Sequence, residues 1–561
     1  MTQSQNHIDQ IFIKIGGSDL SPTMMNLLYS AEVENSLHMP SMFTLRFNDD
    51  DFDMIDDENI EVGKTVEISM GRGSQVPRIF RGEITALEPE FNEDAVAMLV
   101  VRGYDVRHRL LMTHTQTFLN VTDGDIVKRV VSAAGIVAGK LGPTTAVRKH
   151  VFQDNISDLA FIQTLALRNS FEIWVGDDNK LNFDAPAASD PIELKWRTNL
   201  RSFRPRISSV NHVSKVQVRS WNVAMKREIV AESTPGSSIA KIGAKSQATK
   251  GTAYSSSTFL EERVPLDSQA EADKLAKSLA EQIGQRFAEA EGIAFGEPKL
   301  MPGVTVKISD IGQRFGGQYL VSSTRHIYHA RAGYDTHFTI EGNQPRQVAD
   351  LLTGVSTSDS RWYGAVSAIV TDTKDPDNMN RVKVKFQTLT TEHTSTWARV
   401  IAPGAGPERG IQWLPEVNDE VVVIFESGDF NHPYVVGGVW NGKDKPAEQQ
   451  AVNASKTSIR TLKTRVGHVI RFIDEDSAGH KKGIEIIESG GKIKIVIDGT
   501  TQKITILSSG DIAVEATKNL TLKATGNVEI TGMQVKVEAQ SQLDLKSTGP
   551  ANLKGAIVNI N

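Results

Sequence analysis

The chain has 561 residues, with 62 lysine and arginine residues against 68 aspartate and glutamate residues, and it has no cysteine. The net charge of −6 at pH 7 argues against wholesale nucleic-acid binding, which normally shows a basic excess or a basic patch. The absence of cysteine excludes disulfides, thiolate zinc sites and cysteine nucleophiles. The length is sufficient for three or four domains with large cores.

The first ten residues, MTQSQNHIDQ, are polar and lack the basic and then apolar pattern of a secretion signal. No run of eighteen apolar residues occurs, so no membrane-spanning helix is predicted. We therefore expect a product made in the cytoplasm without a signal peptide, unless it is released by lysis or carried by a machine.

Residues 8–115 are predicted to be mostly strands. Apolar or alternating runs at 11–15, 43–47, 65–68 and 98–101 are bounded by Gly, Pro and Asp. The acidic run at 49–58 lacks the glycine and the spaced glutamate of a calcium-binding loop, so it is predicted to be a solvated connection.

Two helices and a hairpin are predicted next. Thr122 can cap a helix whose apolar residues fall at 126–131, and Ser157 can begin a second helix with one apolar face over 159–166. Two short apolar runs around a Gly-Asp-Asp-Asn turn predict a hairpin over 171–183.

Residues 190–345 are predicted to form a second β domain that holds one long helix. The helix is expected from Asp267 to about Glu291, where Ala, Glu, Lys and Leu dominate. A stretch rich in Ser, Gly, Ala and Lys at 233–258 predicts a mobile excursion, and a polar linker is predicted at 353–360.

Residues 361–442 are rich in strands, Trp and Gly, which predicts a small barrel of five short strands with Gly and Pro at its corners. The motifs run in this order: Trp362-Tyr363-Gly364, Asp375-Pro376-Asp377, Arg381-Val382-Lys383-Val384, Trp397-Ala398-Arg399, Gly404-Ala405-Gly406, Pro415-Glu416-Val417-Asn418-Asp419-Glu420, Gly428-Asp429-Phe430 and Gly437-Gly438-Val439-Trp440-Asn441.

Paired apolar residues recur towards the C-terminus in steps of 8, 8, 8, 7, 8, 8 and 7 residues. The two members of a pair are two residues apart, so they share one face of a strand, and polar residues separate the pairs. Less regular early rungs are predicted at Ile484/Ile486 and Ile493/Ile495/Ile497. The pairs of this octad repeat are Ile504/Ile506, Ile512/Val514, Leu520/Leu522, Val528/Ile530, Val535/Val537, Leu543/Leu545, Ala551/Leu553 and Val558/Ile560.

A repeat of this kind predicts a β-solenoid. Two apolar residues per rung make a thin core for one chain, whereas three chains wound around one axis would bury the pairs and leave few free strand edges. We therefore predict a triple-stranded intertwined β-helix whose trimer core is formed by the first six pairs, from Ile504 to Leu545. An ordinary single-chain solenoid is the alternative.

The motifs of residues 361–442 resemble the oligonucleotide/oligosaccharide-binding (OB) barrel of VgrG proteins and of the central spike of contractile phage tails. The segment Asn155-Ile156-Ser157-Asp158-Leu159-Ala160-Phe161-Ile162 is similar to the same family, and with the octads the resemblance covers nearly the whole chain. The opening pattern Ile13-Lys14-Ile15-Gly16-Gly17-Ser18 departs from typical type VI secretion VgrG proteins. It is closer to the spike of extracellular contractile injection systems, which are phage-tail-like particles.

The resemblance implies a mainly β fold and a homotrimer. Its parts are a hub of two tube-like β-barrels with a few helices, a small OB-fold barrel and the intertwined β-helix. The implied divisions are 1–120 for the first hub barrel, 121–185 for a helical and hairpin connector, 186–352 for the second hub barrel with the long helix, 361–445 for the OB-fold neck and 456–561 for the needle.

The resemblance also implies a structural spike that punctures a target envelope and nucleates baseplate and tube assembly for cargo delivery. The expected partners are inner-tube and baseplate proteins at the hub, possible cargo effectors, and a PAAR-like tip protein at Ile557, Val558, Ile560 and Asn561. A frayed end is the alternative for these last residues. The implied place of action is a particle that is extracellular or attached to a membrane or cell.

No serine-hydrolase elbow, P-loop or His-Glu-x-x-His motif occurs, so we predict no enzyme activity, catalytic residue, metal site or cofactor. His326 and His329 would point to opposite faces of a strand and are predicted to be ordinary histidines. The alternatives are a trimeric tailspike that binds or cleaves polysaccharide through paired carboxylates, and a nucleic-acid-binding barrel. Minimal rungs without aromatic residues after Phe472 argue against the first, and the mild net charge argues against the second.

Overall fold

The computed structural model describes residues 9–73, 76–91, 93, 96–176, 178–185, 190–207, 213–235, 241–243, 257–285, 288–340, 362–387, 394–449, 451–453, 455–474 and 482–560. The predicted linker at 353–360 and most of the predicted excursion at 233–258 lie outside these residues. The chain divides into two units, Met1–Asn441 and Gly442–Asn561. Within the described part, no helix has the length and apolar character that a membrane crossing requires.

The first part of unit one consists of seven strands and one short helix, and the four predicted strand runs all fall within these strands. Alternate residues of each strand are apolar and buried, and they pack into one core that includes Ile13, Phe43, Leu45 and Ile68. The elements are β1 (Asp9–Ile15), β2 (Ser18–Asp19), α1 (Pro22–Asn26), β3 (Leu28–Ser36), β4 (Met42–Asn48), β5 (Thr65–Arg72), β6 (Arg78–Phe91) and β7 (Ala97–Tyr104).

The connector contains the two predicted helices, and both predicted N-caps are confirmed. The Thr122 side chain accepts a hydrogen bond from the backbone N–H of Asp125 in a capping box, and the Ser157 side chain accepts one from the N–H of Ala160. The predicted hairpin is also present. The elements are a 3-10 turn (Val106–Leu111), β8 (Thr113–Thr122), α2 (Asp123–Ala133), β9 (Ala138–Leu141), β10 (Val147–Ser157), α3 (Asp158–Asn169), β11 (Glu172–Val175) and β12 (Leu181–Asp184).

Eleven strands and one helix form the next part of unit one. The elements are β13 (Ile192–Lys195), β14 (Leu200–Ile207), β15 (Lys215–Asn222), β16 (Arg227–Ser233), β17 (Lys241–Ile242), β18 (Thr258–Glu261), α4 (Gln269–Gln285), β19 (Ala288–Phe295), β20 (Thr305–Ser309), β21 (Gly317–Leu320), β22 (Ser323–His329) and β23 (Gly333–Ile340).

The predicted C-terminal end of the long helix is wrong. Helix α4 ends at Gln285, and residues 288–291 belong to strand β19. The segment Ala288-Glu289-Ala290-Glu291 has good helix formers, but it alternates small apolar and charged residues with a period of two. Because β19 pairs with β14 on one side and β23 on the other, tertiary pairing overrides the local helix propensity.

One sheet of eleven strands joins the two ends of the hub sequence. Its order is β14-β19-β23-β22-β3-β4-β7-β6-β5-β1-β2, and the antiparallel pair β22–β3 links the later strands to the earlier ones. The Asp9 carboxylate accepts hydrogen bonds from the backbone N–H of Tyr334 at 2.8 Å and from Arg72 Nε at 2.7 Å. The sheet therefore curls until the start of β1 reaches the start of β23.

His326 is a core histidine, as predicted, and His329 lies on the opposite face of β22. The His326 ring is fully buried, with Nδ1 2.7 Å from Tyr334 Oη and Nε2 3.0 Å from the carbonyl oxygen of Leu300. Burial lowers the pKa of His326 to about 4, so the ring is neutral at pH 7.

The remaining strands of unit one are β24 (Val366–Asp372), β25 (Arg381–Lys385), β26 (Ala398–Val400), β27 (Glu420–Phe425) and β28 (Pro433–Gly438), with a 3-10 turn at Glu426–Gly428. Unit two contains β29 (Val452–Asn453), β30 (Lys456–Thr457), β31 (Ile459–Lys463), β32 (Val469–Ile473), β33 (Gly483–Ile487), β34 (Lys494–Asp498) and β35 (Lys503–Leu507).

The prediction of early solenoid rungs at 484–497 is wrong, because these residues form part of an antiparallel meander within one chain. Strands β31 to β35 pair in sequence order, with Ile486 opposite Ile495 and Ile495 opposite Ile506. The first octad pair, Ile504/Ile506, lies in the last strand of this sheet. Turns of only a few residues favour antiparallel neighbours, whereas parallel rungs need longer connections.

We expect the hub to lose stability as the pH falls from about 6.5 to about 4. In the unfolded chain a histidine binds a proton below about pH 6.5, whereas the folded state keeps His326 neutral down to about pH 4. Protonation of the unfolded state therefore removes on the order of 3 kcal/mol of stability across this window.

Calorimetric unfolding midpoints between pH 7 and pH 4 measure this effect. The His326→Gln variant should show a shallower decline than the wild-type chain, and His329→Gln is the matched control that should keep the wild-type slope. Equal slopes in the wild-type chain and both variants would contradict the assignment.

Candidate functional site: the closed barrel, its joint and the octad segment

The predicted five-stranded barrel is present and closed, in the order β24-β25-β26-β28-β27. Three phenylalanines fill its interior: Phe430 has its ring centroid 4.8 Å from that of Phe386 and 4.8 Å from that of Phe425. All three are buried. Aromatic packing at this distance stabilises a small barrel beyond the area that it buries.

The Asp375-Pro376-Asp377 motif has a structural role in the β24–β25 loop. The Asp375 carboxylate accepts hydrogen bonds from the backbone N–H groups of Asp377 and Met379 and pairs with the Arg381 guanidinium at 2.5 Å. These hydrogen bonds, above all those from Arg381, hold the pKa of Asp375 well below its usual range. One carboxylate therefore holds the loop closed on the first residue of β25.

A joint between the connector and the barrel was not predicted from the sequence. Strand β10 places Phe152 against the barrel core, where its ring stacks on Phe430 with centroids 4.0 Å apart. The indole N–H of Trp362 donates to Asp154 on the same strand. The sequence carries no distinctive signal for this joint, because residues 150–154, His-Val-Phe-Gln-Asp, could belong to any ordinary strand.

A charged contact also links the barrel to the segment before α4. His432 Nδ1 lies 3.3 Å from Asp429 Oδ2, and His432 Nε2 lies 3.8 Å from Asp267 Oδ1, just before α4. Burial alone would lower the pKa of His432, but the two carboxylates raise it to about 10. His432 therefore carries a positive charge at pH 7, and it links the barrel to the segment that leads into α4.

The octad segment after β35 has no strand pairing within its own chain. Residues 508–560 are all described, and none of them belongs to a strand or a helix. Bends recur at 509–510, 517–518, 525–526, 533, 540–541, 548–549 and 556–557, at nearly the period of the sequence repeat. A single-chain solenoid would pair its rungs within the chain, so this alternative disagrees with the structure.

The predicted core residues of the octads are all exposed in the single chain. The exposed fraction of these side chains ranges from 53% to 81%, and every residue from 509 to 560 is exposed. The structure therefore does not bring these side chains together within one chain. The twelve residues are Ile504, Ile506, Ile512, Val514, Leu520, Leu522, Val528, Ile530, Val535, Val537, Leu543 and Leu545.

The residues predicted to contact a tip protein are also exposed. Ile557, Val558 and Ile560 lie on the surface, and Asn561 is outside the described residues. Among the residues that the structure describes, no group of three or more His, Asp or Glu side chains is arranged to hold a metal ion.

A large β hub, a closed five-stranded barrel and an octad segment are the parts that the resemblance to spike and hub proteins of contractile machines implies. Residues 7–329 match the family described as the Alg8 N-terminal domain, and residues 366–440 match the type VI secretion system/phage-baseplate injector OB domain. The first match covers more than half of the chain. The chain belongs to the family that the Alg8 N-terminal domain defines, and its barrel resembles that of type VI secretion and phage-baseplate spike proteins.

Two curated relatives are type VI secretion system spike proteins. VgrG1a of Pseudomonas aeruginosa is 30% identical over 113 residues, which are 19% of this chain and 17% of that protein. VgrG3 of Vibrio cholerae is 32% identical over 111 residues, which are 19% of this chain and 11% of that protein. The matched segment thus spans less than a fifth of the length of either relative.

The fold is similar to that of a solved VgrG structure. The Francisella PdpA-VgrG complex in its lidded form aligns with a TM-score of 0.52 at 9% identity, over 90% of this chain and 80% of that chain. At this identity the likeness concerns the fold alone.

We expect Phe152→Ala to weaken the joint between the connector and the barrel by about 2 kcal/mol, since a fully buried phenylalanine typically costs ~3–5 kcal/mol and Phe152 is half-buried. In scanning calorimetry the barrel should then unfold at a lower temperature than the hub. Phe12→Ala, at an exposed phenylalanine of β1, is the matched control. An unchanged calorimetric profile in the Phe152→Ala variant would contradict the joint.

Proposed function

We propose that the chain is the structural spike of a contractile injection machine, in which three copies wind their octad segments into one needle. The observation that carries this proposal is the state of residues 509–560 in the single chain. Their apolar pairs are exposed and their backbone has no strand partner within the chain. Strands from other copies would both pair with this backbone and cover these apolar side chains.

The size of the apolar surface supports association. Twelve large aliphatic side chains per chain would enter the needle core, and burial of one such side chain contributes roughly 1.5–3 kcal/mol. Monomeric soluble proteins rarely expose a contiguous apolar surface of this extent. Three chains also satisfy closed symmetry, and mutual pairing along the octads would leave no lateral strand edge exposed.

The meander of unit two supports the same arrangement. One face of the sheet carries two rows that cross all five strands, and nine of its ten positions are apolar. The opposite face holds the polar cluster in which Arg471 pairs with Glu448 and Glu485. The rows are Leu462, Ile470, Ile486, Ile495 and Ile506, and Arg460, Phe472, Ile484, Ile497 and Ile504.

A wound needle of this kind would puncture a target envelope, because a rod whose backbone hydrogen bonds all lie in ladders resists bending and local unfolding. The proposed division is a hub at 1–120 and 186–352, a connector at 121–185, a neck at 361–445 and a needle at 456–561. In the neck, the exposed Ile401, Ile424 and Val436 on the outside of the barrel would face neighbouring copies.

The proposed partners follow from the same arrangement. Inner-tube and baseplate proteins would assemble on the hub, cargo effectors would travel with the spike, and a PAAR-like tip protein would cover Ile557, Val558 and Ile560 at the needle end. The role is mechanical and not enzymatic. The chain would be made in the cytoplasm and act in a particle that is extracellular or attached to a membrane or cell.

The native mass of the purified chain tests the proposal directly. Since one chain is 61.4 kDa, we expect light scattering after size-exclusion chromatography to give 3 × 61.4 = 184.2 kDa, with no decrease on dilution. A stable species of 61.4 kDa would refute the intertwined needle.

Ile512→Asp should abolish the trimer, because it would place three carboxylates around one axis in a dry core, at a cost of several kcal/mol for each charge. Ala513→Asp is the matched control, since neighbouring residues of a strand point to opposite faces and residue 513 would face solvent. Light scattering should give the trimer mass for Ala513→Asp and a lower mass for Ile512→Asp. Trimers of equal stability for both variants would show that Ile512 is outside the core.

A further inference from the structure

An exposed aromatic pair with an acidic surround lies at one end of the first hub strands. Phe52 follows β4 and Phe91 ends β6; their rings meet edge to face at 6.1 Å, and the side chains are 45% and 66% exposed. We call this pair the aromatic knob. Four exposed acidic residues lie next to the knob residues in the sequence, and none forms an ion pair with a described residue: Asp51, Asp53, Glu90 and Glu93.

The knob is held in place by the loop that carries it. Phe52 has a φ of 63°, a left-handed conformation that costs a residue with a Cβ atom roughly 1–2 kcal/mol. The buried Asp49 carboxylate accepts hydrogen bonds from the backbone N–H groups of Met54, at 3.0 Å, and Ile55, at 2.8 Å, which closes the loop around Phe52. An apolar side chain is therefore presented to solvent by a fixed loop.

A pocket of complementary character lies beside the edge strand β14. It has a volume of about 460 Å³, larger than the ~150 Å³ cavity that is sufficient for a benzene ring. Most of its wall is apolar or aromatic, with one carboxylate, Asp310, among the lining side chains. We call it the aromatic pocket, and its lining includes Trp196, Phe203, Pro205, Ile311 and Phe315.

Arginines surround this pocket. The Arg197 guanidinium lies 4.2 Å from the centroid of the Trp196 ring, and that of Arg314 lies 5.7 Å from the centroid of Phe315. Neither of these two arginines forms an ion pair with a described residue. The pocket thus combines an aromatic wall with two neighbouring guanidinium groups.

The knob and the pocket lie on different parts of the hub, since the knob residues follow β4 and end β6 whereas the pocket lies beside the edge strand β14. The two surfaces match in chemistry, since the projection is aromatic with acidic neighbours and the cavity is aromatic with basic neighbours, and no described residue fills that cavity. A second copy of the same chain supplies both complements.

We propose that the aromatic knob of one copy inserts into the aromatic pocket of the next copy, around the hub of the assembled spike. The contact is heterologous, because a different surface of each copy takes part, and such a contact closes into a ring only when the symmetry allows it. Closure at three copies rests on the proposed threefold needle. The carboxylates of the knob and the guanidiniums beside the pocket then meet at the rim, where opposite charges select the register.

Because the chain has no cysteine, site-specific cross-linking tests this contact in the full-length protein. The double variant Asp51→Cys/Arg314→Cys, treated with a short bismaleimide, should give covalent dimers and trimers on a denaturing gel. Each single variant should remain monomeric on that gel, since the knob and the pocket are different surfaces and one cysteine has no second cysteine across this contact. Asp19→Cys/Arg314→Cys, with Asp19 exposed elsewhere on the hub, is the matched control pair.

A charge reversal gives a second test at exposed positions where folding is not at risk. In an Asp53→Cys/Arg197→Cys background, Arg314→Glu should lower the cross-linking yield roughly tenfold, and adding Asp51→Arg should restore it. A species of trimer mass that does not cross-link would overturn the knob-and-pocket contact and leave the needle intact. A monomeric species would refute the proposed needle itself, and cross-linked ladders beyond three chains would overturn ring closure.

Discussion

Backbone pairing is the constraint on which the rest of this spike depends. A strand needs a neighbour for its N–H and C=O groups, and an apolar face needs a cover. Residues 509–560 have neither within one chain, although their apolar pairs are spaced evenly and point to one side. In the proposed needle, other copies of the chain supply both the strand partners and the cover for these apolar pairs.

The hub meets the same constraint within a single chain. Its eleven-stranded sheet takes strands from both ends of the hub sequence, and Asp9 holds the curled edge through Arg72 and the backbone of Tyr334. The barrel is then held on the connector by an aromatic stack at Phe430, and charged His432 links it to the segment before α4. Aromatic packing and paired charges together resist both sliding and separation of the barrel from the hub. This resistance suits a part that would transmit force.

Long-range partners explain why some sequence-based predictions were accurate and others were not. The N-caps at Thr122 and Ser157 depend on hydrogen bonds within three residues, so local sequence was sufficient to locate both helices. The end of α4 depends on the pairing of β19 with strands that are distant in sequence. Helix propensity alone therefore predicted a helix that was too long. The joint at Phe152 left no distinctive pattern, because its partner, Phe430, lies 278 residues later.

The sequence by itself determined the strand-rich character of the chain, the motifs of the closed barrel and the octad period. Each of these features depends on the spacing of residues that are close to one another in the sequence. Only the tertiary structure decided that strands β31 to β35 form an antiparallel meander, that one sheet spans the hub, and that residues 508–560 belong to no strand within one chain. The physical reason is that periodicity specifies which face of a strand is apolar, but not which strand covers it. Which strands pair with each other depends on the chain connectivity and on the competition between alternative apolar surfaces.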